Sequence, residues 1–244
     1  MHAAPRSEPR EEPTLGGKLL YAGELDEPAR ALVVACNIAG AASLAATADL
    51  AAPKLAIRDG VADFLVTSLD EALRILKNEI RKRATVAVCV AASPDAVAEE
   101  MLERGVQPDF IAPGATDNPA GAAFLRQGAR VAQPNPTGAG QALVAWRVAA
   151  SPALWLPRLD ALALGCLAPE QGVARRWLRL APRYLGRLAQ GVRLLRCDEA
   201  LAAILLQQVR ERVANGAIAV PVEMQITSGG TSHLHLFSPP ARVV

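Results

Sequence analysis

From Lys18 to about Gln133 the chain alternates short apolar runs with longer stretches whose apolar residues recur at helical spacing. "KLLYAG" is a compact apolar run and is predicted as a strand. "DEPARALVVACNIAG" is predicted as a helix, with Asp26 as N-cap, Pro28 in the first turn and Gly40 just past the end. "AASLAAT" is a second strand, "DLAAPKLAIRDG" a short helix and "ADFLVT" a third strand. "SLDEALRILKNEIRKR" opens with Ser68 and Glu71 in capping-box spacing, and Leu69, Leu73, Leu76 and Ile80 follow the helical period. "TVAVCVA" is continuously apolar, as in a strand covered on both faces. A helix capped by Ser93, a fifth strand in "PDFIAPG" and a sixth in "GARVAQP" complete the series. Strands alternating with helices of this length imply a mostly parallel, doubly wound (Rossmann-like) sheet with right-handed crossovers.

"QPNPTGAG", residues 133 to 140, interrupts this pattern. Beyond it "QALVAWRVAA", "PALWLPRLDALALGCL", "PEQGVARRWLRLAPRYLGRLAQG" and "DEALAAILLQQVRERVANG" read as helical, with Pro157 and Pro182 expected to kink or split two of them. "AIAVPVEMQITSGGTSHLHLFS" is expected as strand and loop. The division that follows is a leader over 1–16, a Rossmann-like domain over 17–135, and a helical C-terminal region over 136–244.

Composition refines the picture in four places. The 244 residues are 51% hydrophobic but only 4% aromatic, so the core must be built mainly from Ala, Leu and Val. A net charge of +2 supplies no electrostatic case for nucleic acid. The polar, proline-rich start "MHAAPRSEPREEPTLGG" lacks an apolar signal segment and reads as disordered, and no apolar run reaches membrane-spanning length, so the expected location is cytoplasmic. Cys36, Cys89, Cys166 and Cys197 are scattered without metal-binding spacing and read as buried thiols.

At "RDGVADFLVTSLDEALRIL" the chain resembles the urocanases, the NAD-dependent hydratases of histidine breakdown. "GAASLAATAD" runs without a gap through "LAAPKLAIRDG" to "SLDEALRIL" with the spacing of that family's Rossmann domain, and "LERGVQPDFIAPGATDNPAG" is similar to a further family segment. The resemblance spans roughly residues 17 to 135, with a fainter likeness over 190 to 232 in "VRERVANGAIAVPVEMQITSGGTS". The family's long N-terminal catalytic portion has no counterpart in these residues. The resemblance implies a Rossmann-like fold and, where the family function is retained, NAD as cofactor and a urocanate hydratase-like lyase activity.

The departures from the family fall on that chemistry. Its glycine-rich phosphate turn is replaced by Glu24, Leu25, Asp26, Glu27 and Pro28, which place carboxylates where two phosphate charges would sit. Thr47 stands where the family carries the acidic residue of the second strand, and Asp49 is retained two residues later, where it also suits the N-cap of the following helix. "APGATDNPAG" lacks the family's histidine, and Cys166 does not correspond to its cysteine motif. The expected reading is therefore a degenerate cofactor site with no cofactor bound and a binding or interaction role. The alternative is a divergent NAD-dependent lyase. A nucleotide, if bound, is expected at the strand ends, at Gly23, Thr47, Asp49, Thr67 and Thr116.

Two further features carry candidate chemistry. His233 and His235, two apart in "SHLHLF", share a strand face but have no evident third ligand, so no metal is expected. Arg176, Arg179, Arg183 and Arg187, at three- and four-residue spacing with Trp177 beside them, form a helical face suited to a protein partner. A homo-oligomer is the other partner expected.

Overall fold

The computed structural model describes residues 14–49, 51–133, 138–185 and 190–240. Ten strands and eight helices are built from them. Six strands, β1 (Leu19–Glu24), β2 (Ala42–Ala46), β3 (Phe64–Val66), β4 (Ala87–Val90), β5 (Phe110–Ile111) and β6 (Arg130–Val131), form one sheet in the order β3-β4-β2-β1-β5-β6. Every pairing in it is parallel, as the alternating pattern required.

Helices cover both faces of this sheet. On one side α3 (Leu69–Arg81), α4 (Pro94–Glu103) and α5 (Pro119–Arg126) pack over Tyr21, Leu44, Val88 and Ile111. On the other, α1 (Glu27–Ala39) and α2 (Ala52–Arg58) pack over Leu20, Ala45, Ala87 and Cys89. The small side chains Ala42, Ala45, Ala46 and Ala87 are all buried in the sheet, which lets the helices approach closely in a core with few aromatics.

The local signals act as expected at most helix ends. Asp26 caps α1 and Gly40 closes it in the left-handed region with φ 95°. The Ser68 hydroxyl accepts from Glu71 N at 3.3 Å, while the Glu71 carboxylate returns to Thr67 N at 3.0 Å. Ser93 occupies the N-cap of α4 without a side-chain capping bond. Asp49 is not the cap of α2. That position belongs to Ala51, whose N–H donates to Asp49 Oδ1 at 2.8 Å in an Asx turn one step earlier.

The C-terminal part contains three helices, α6 (Pro152–Cys166), α7 (Gly172–Tyr184) and α8 (Glu199–Ala214), and also a four-stranded antiparallel sheet. Its order is β10-β9-β7-β8, with β7 Gln141–Arg147, β8 Val192–Asp198, β9 Val222–Ser228 and β10 Thr231–Phe237. "QALVAWR", expected as helix, is thus a strand. Its burial alternates strictly, with Ala142, Val144 and Trp146 facing the helices. Residues 192–198, between two of the stretches expected as helices, form β8, so Arg193 and Arg196 do not lie on a helix. Pairing on both sides of β7 outweighs the helical leaning of its Ala and Leu residues. Pro157 and Pro182 lie inside α6 and α7 and split neither helix.

The two parts meet where α7 crosses α1. Ala181 of α7 is buried in the same cluster as Val33, Val34 and Ile38, and Arg176 Nε donates to Ile38 O at 2.6 Å. A cation on the last carbonyls of α1 satisfies acceptors that the helix leaves open and suits its dipole. Arg175 does the same for α6, donating to Leu164 O at 3.1 Å and Leu167 O at 2.9 Å.

Candidate functional site

In an open parallel sheet the ligand crevice forms at the carboxyl ends of the strands, where the chain reverses its direction of winding. Here that point lies between β1 and β5, since the chain runs from β1 through β2 to β3 at the edge, returns to β4 between β3 and β2, and then crosses to β5 and β6 on the other side of β1. Gly23, Thr47, Asp49, Thr67 and Thr116 are all brought to this one edge, at or just beyond the ends of β1, β2, β3 and β5.

Their polar groups are turned to local structure. Thr47 is buried, and its Oγ1 accepts from Asp49 N at 3.1 Å. Thr67 gives both its N–H and its hydroxyl to Glu71 Oε2, at 3.0 and 3.3 Å. Thr116 Oγ1 donates to Pro113 O at 2.7 Å, closing the 3-10 turn Pro113–Ala115 that follows β5.

That turn fills the crevice. Gly23 has φ +67°, and a Cβ there would stand 3.1 Å from Ala115 Cβ. A Cβ on Gly121 would come 1.8 Å from Ala115 O, so the first turn of α5 presses directly on the same segment. Asn118 holds this arrangement. Its Oδ1 accepts from Gly121 N at 2.7 Å and its Nδ2 donates to Asp95 Oδ1 at 2.7 Å.

The β1–α1 turn, where a pyrophosphate would need free backbone donors, is equally self-contained. Leu25 is buried and its N–H is shared between Ala46 O and Glu24 Oε1, each at 3.2 Å. Ala29 N donates to Asp26 Oδ1 at 2.9 Å, and Pro28 has no N–H to offer. The loops at this edge, residues 24–28, 47–49, 91–95 and 112–118, carry Glu24, Asp26, Glu27, Asp49, Asp95 and Asp117 and no lysine or arginine. A phosphate-binding helix end needs the reverse, namely open donors and positive potential. The residues present do not fit a dinucleotide in the usual Rossmann position.

Residues 3–132 match the family model of the urocanase Rossmann-like domain, which is more than half of the 244 residues. The chain belongs to the urocanase family. The matched stretch ends just beyond β6, so the urocanase-type domain comprises the parallel sheet and its helices, and the antiparallel sheet lies outside the match.

Two features carry no mark in the local sequence. Tyr21 lies in the central strand, where its hydroxyl donates to Pro94 O at 2.6 Å and its ring meets Phe124 edge-on at 6.0 Å. Burial, with Asp95 and Glu24 nearby, pushes its phenol well above the ordinary range. A tyrosine within an apolar strand carries no sequence mark of such a partner. The second is an open groove of about 1230 Å³ between the outer side of α1 and the C-terminal helices. Val34 and Val61 line one wall, Leu156 and Trp177 the other, and Arg30 bridges to Asp59 at 2.7 Å on its rim. It exists only because α6 and α7 fold back onto α1, which no local pattern encodes.

The arginine face is divided by the fold. Arg176 reaches inward to α1, Arg179 and Arg183 are exposed, and the Arg183 guanidinium lies 5.4 Å from the Tyr184 ring. Trp177 Nε1 donates to Leu194 O on β8 at 2.6 Å. Arg187 lies outside the described residues, as does most of the expected leader. His233 and His235 share one face of β10, and among the described residues no group of three or more potential metal ligands forms. No helix among them is long and apolar enough to cross a membrane.

Proposed function

We propose that this urocanase-family protein is a binding or interaction module that does not carry out the hydratase reaction. One observation carries the reading. At the β1–α1 turn Asp26 takes the N–H of Ala29, Ala46 takes that of Leu25 and Pro28 has none to give, within an edge that bears six carboxylates and no lysine or arginine. Two phosphate charges would enter a field of their own sign and find the Leu25 and Ala29 donors already taken. Chemistry that depends on bound NAD has no foothold at such an edge. Four unpaired cysteines suit a reducing compartment, and the cytoplasm is the proposed location.

The test is direct. Freshly purified protein is denatured and the supernatant examined for NAD by mass spectrometry, and the native protein is melted with and without millimolar NAD. The expected result is no nucleotide and no shift of Tm. NAD released at close to one equivalent would overturn this reading in favour of a divergent urocanate hydratase-like lyase.

A further inference from the structure

Among the described residues the antiparallel sheet leaves one long strand edge unpaired. In the six-stranded sheet the outermost strands, β3 and β6, are only three and two residues long. In the four-stranded sheet the β8 edge carries Arg193, Arg196 and Asp198, and Trp177 of α7 already donates to its Leu194 carbonyl. The opposite edge is β10, seven residues long, reading "TSHLHLF". It contains no Lys, Arg, Asp, Glu or Pro, the residues that ordinarily blunt an edge against pairing. Leu234 and Leu236 stand 58% and 70% exposed on it.

The register says which groups face outward. Gly229 and Gly230, with φ +53° and +81°, make a two-residue hairpin turn between β9 and β10. Such a turn makes Thr231 and Ser228 a hydrogen-bonded pair, and the alternation continues through His233–Ile226, His235–Met224 and Phe237–Val222. The backbone N–H and C=O groups of Ser232, Leu234 and Leu236 therefore point away from β9, into the open edge. The leucines lie on the sheet face opposite the core, in register with Gln225 and Glu223.

We propose that this edge binds a second copy of the chain, β10 against β10, to give a two-fold dimer with one continuous eight-stranded sheet. A two-fold axis normal to the sheet makes the two strands antiparallel, which continues the order already present. With the axis at Leu234, Leu234 pairs with its own copy and Ser232 with Leu236, so the outward-pointing backbone groups meet one another. His233 then faces His235, and no charged residue of either strand is brought against another. A second copy is the occupant because it supplies an equally long, equally uncharged edge of matching register. Closure at one dimer follows because the β8 edge is charged and covered. A single strand pair lies at the small end of interface sizes, below about 1,200 Å², so the dimer forms and dissociates with concentration.

The pairing extends the interaction-module reading but fails separately from it. Bound NAD would overturn that reading without touching the oligomeric state, whereas a monomer would overturn the pairing alone. Sedimentation velocity of the full chain from micromolar to several hundred micromolar is expected to show a monomer–dimer equilibrium. Leu234→Lys should weaken it by roughly tenfold or more while leaving the circular dichroism and melting curve unchanged, since the side chain is exposed. Leu234→Cys should form a disulfide-linked dimer on mild oxidation, and Leu154→Cys, exposed on α6, should not. A monomer throughout, a dimer indifferent to Leu234→Lys, or open-ended polymers would each overturn the proposal.

Discussion

Asp26 Oδ1 accepts the backbone N–H of Ala29 at 2.9 Å, and this bond closes the helix end on which a pyrophosphate would rest. The same residue that starts α1 thereby occupies the position that a phosphate-binding turn leaves open. Asp26→Ala should cost about 1 kcal/mol of stability, the usual magnitude for an N-cap, and Asp26→Ser should restore most of it. Urea denaturation measures both. Neither variant should gain a melting shift with NAD, because Glu24, Glu27 and Pro28 still line the turn.

Asp160 and Arg193 form a buried ion pair in the C-terminal part. Arg193 Nε donates to Asp160 Oδ2 at 2.8 Å and Trp146 Nε1 to Asp160 Oδ1 at 3.2 Å, with both charged side chains under a tenth exposed. Burial pushes the Asp160 carboxyl above its ordinary value, and Arg193 pulls in the opposite direction. Asp160→Ala should cost about 3 to 5 kcal/mol, because Arg193 keeps its burial and loses its carboxylate. Pairing Asp160→Leu with Arg193→Met should recover much of that loss. A double-mutant cycle in urea reads the difference, and equal losses in the single and double variants would contradict it.

Ser43 faces the α1 side of the sheet with its hydroxyl buried and without a hydrogen-bond partner among the described residues. Ser43→Ala removes a desolvated hydroxyl and adds no volume. It should be neutral or stabilising by up to about 1 kcal/mol, against the trend for buried substitutions. A drop in Tm would mean that the hydroxyl is satisfied in solution.

The thiols should separate by burial. Cys36 and Cys197 are pushed up to about 11 and Cys89 to about 12, each chiefly by burial, while Cys166 is half-buried and the nearby Arg212 offsets part of its upward shift. A raised thiol pKa means less thiolate at a given pH, so reactivity must climb as pH rises toward those values. At pH 8 an aromatic disulfide reagent should modify Cys166 first. The other three should react at rates set by unfolding, and Cys166→Ser should abolish the fast phase.

The parallel sheet was readable because its signals are local and mutually consistent. Asp26, Ser68 and Gly40 punctuate helices whose apolar faces repeat at 3.6 residues, and "TVAVCVA" could only be a strand buried on both sides. The acidic β1–α1 turn was equally legible, since carboxylates in place of glycines change the chemistry wherever the turn sits. The C-terminal sheet was not. "QALVAWR" has apolar residues in both phases of the alternation, so its own pattern leaves helix and strand in balance, and only pairing with β8 and β9 decides.

The sequence alone therefore determined the winding of residues 18–133, the family, and the loss of the phosphate turn, because each depends on residues close together in the chain. Tertiary structure alone decided what occupies the crevice and where the chain is open. Ala115 closes on Gly23 across more than ninety residues, Arg176 is drawn inward by the end of α1, and β10 becomes an edge only once β7 has paired on both sides. These outcomes rest on contacts distant in sequence, whose energies exist only when the whole chain has folded.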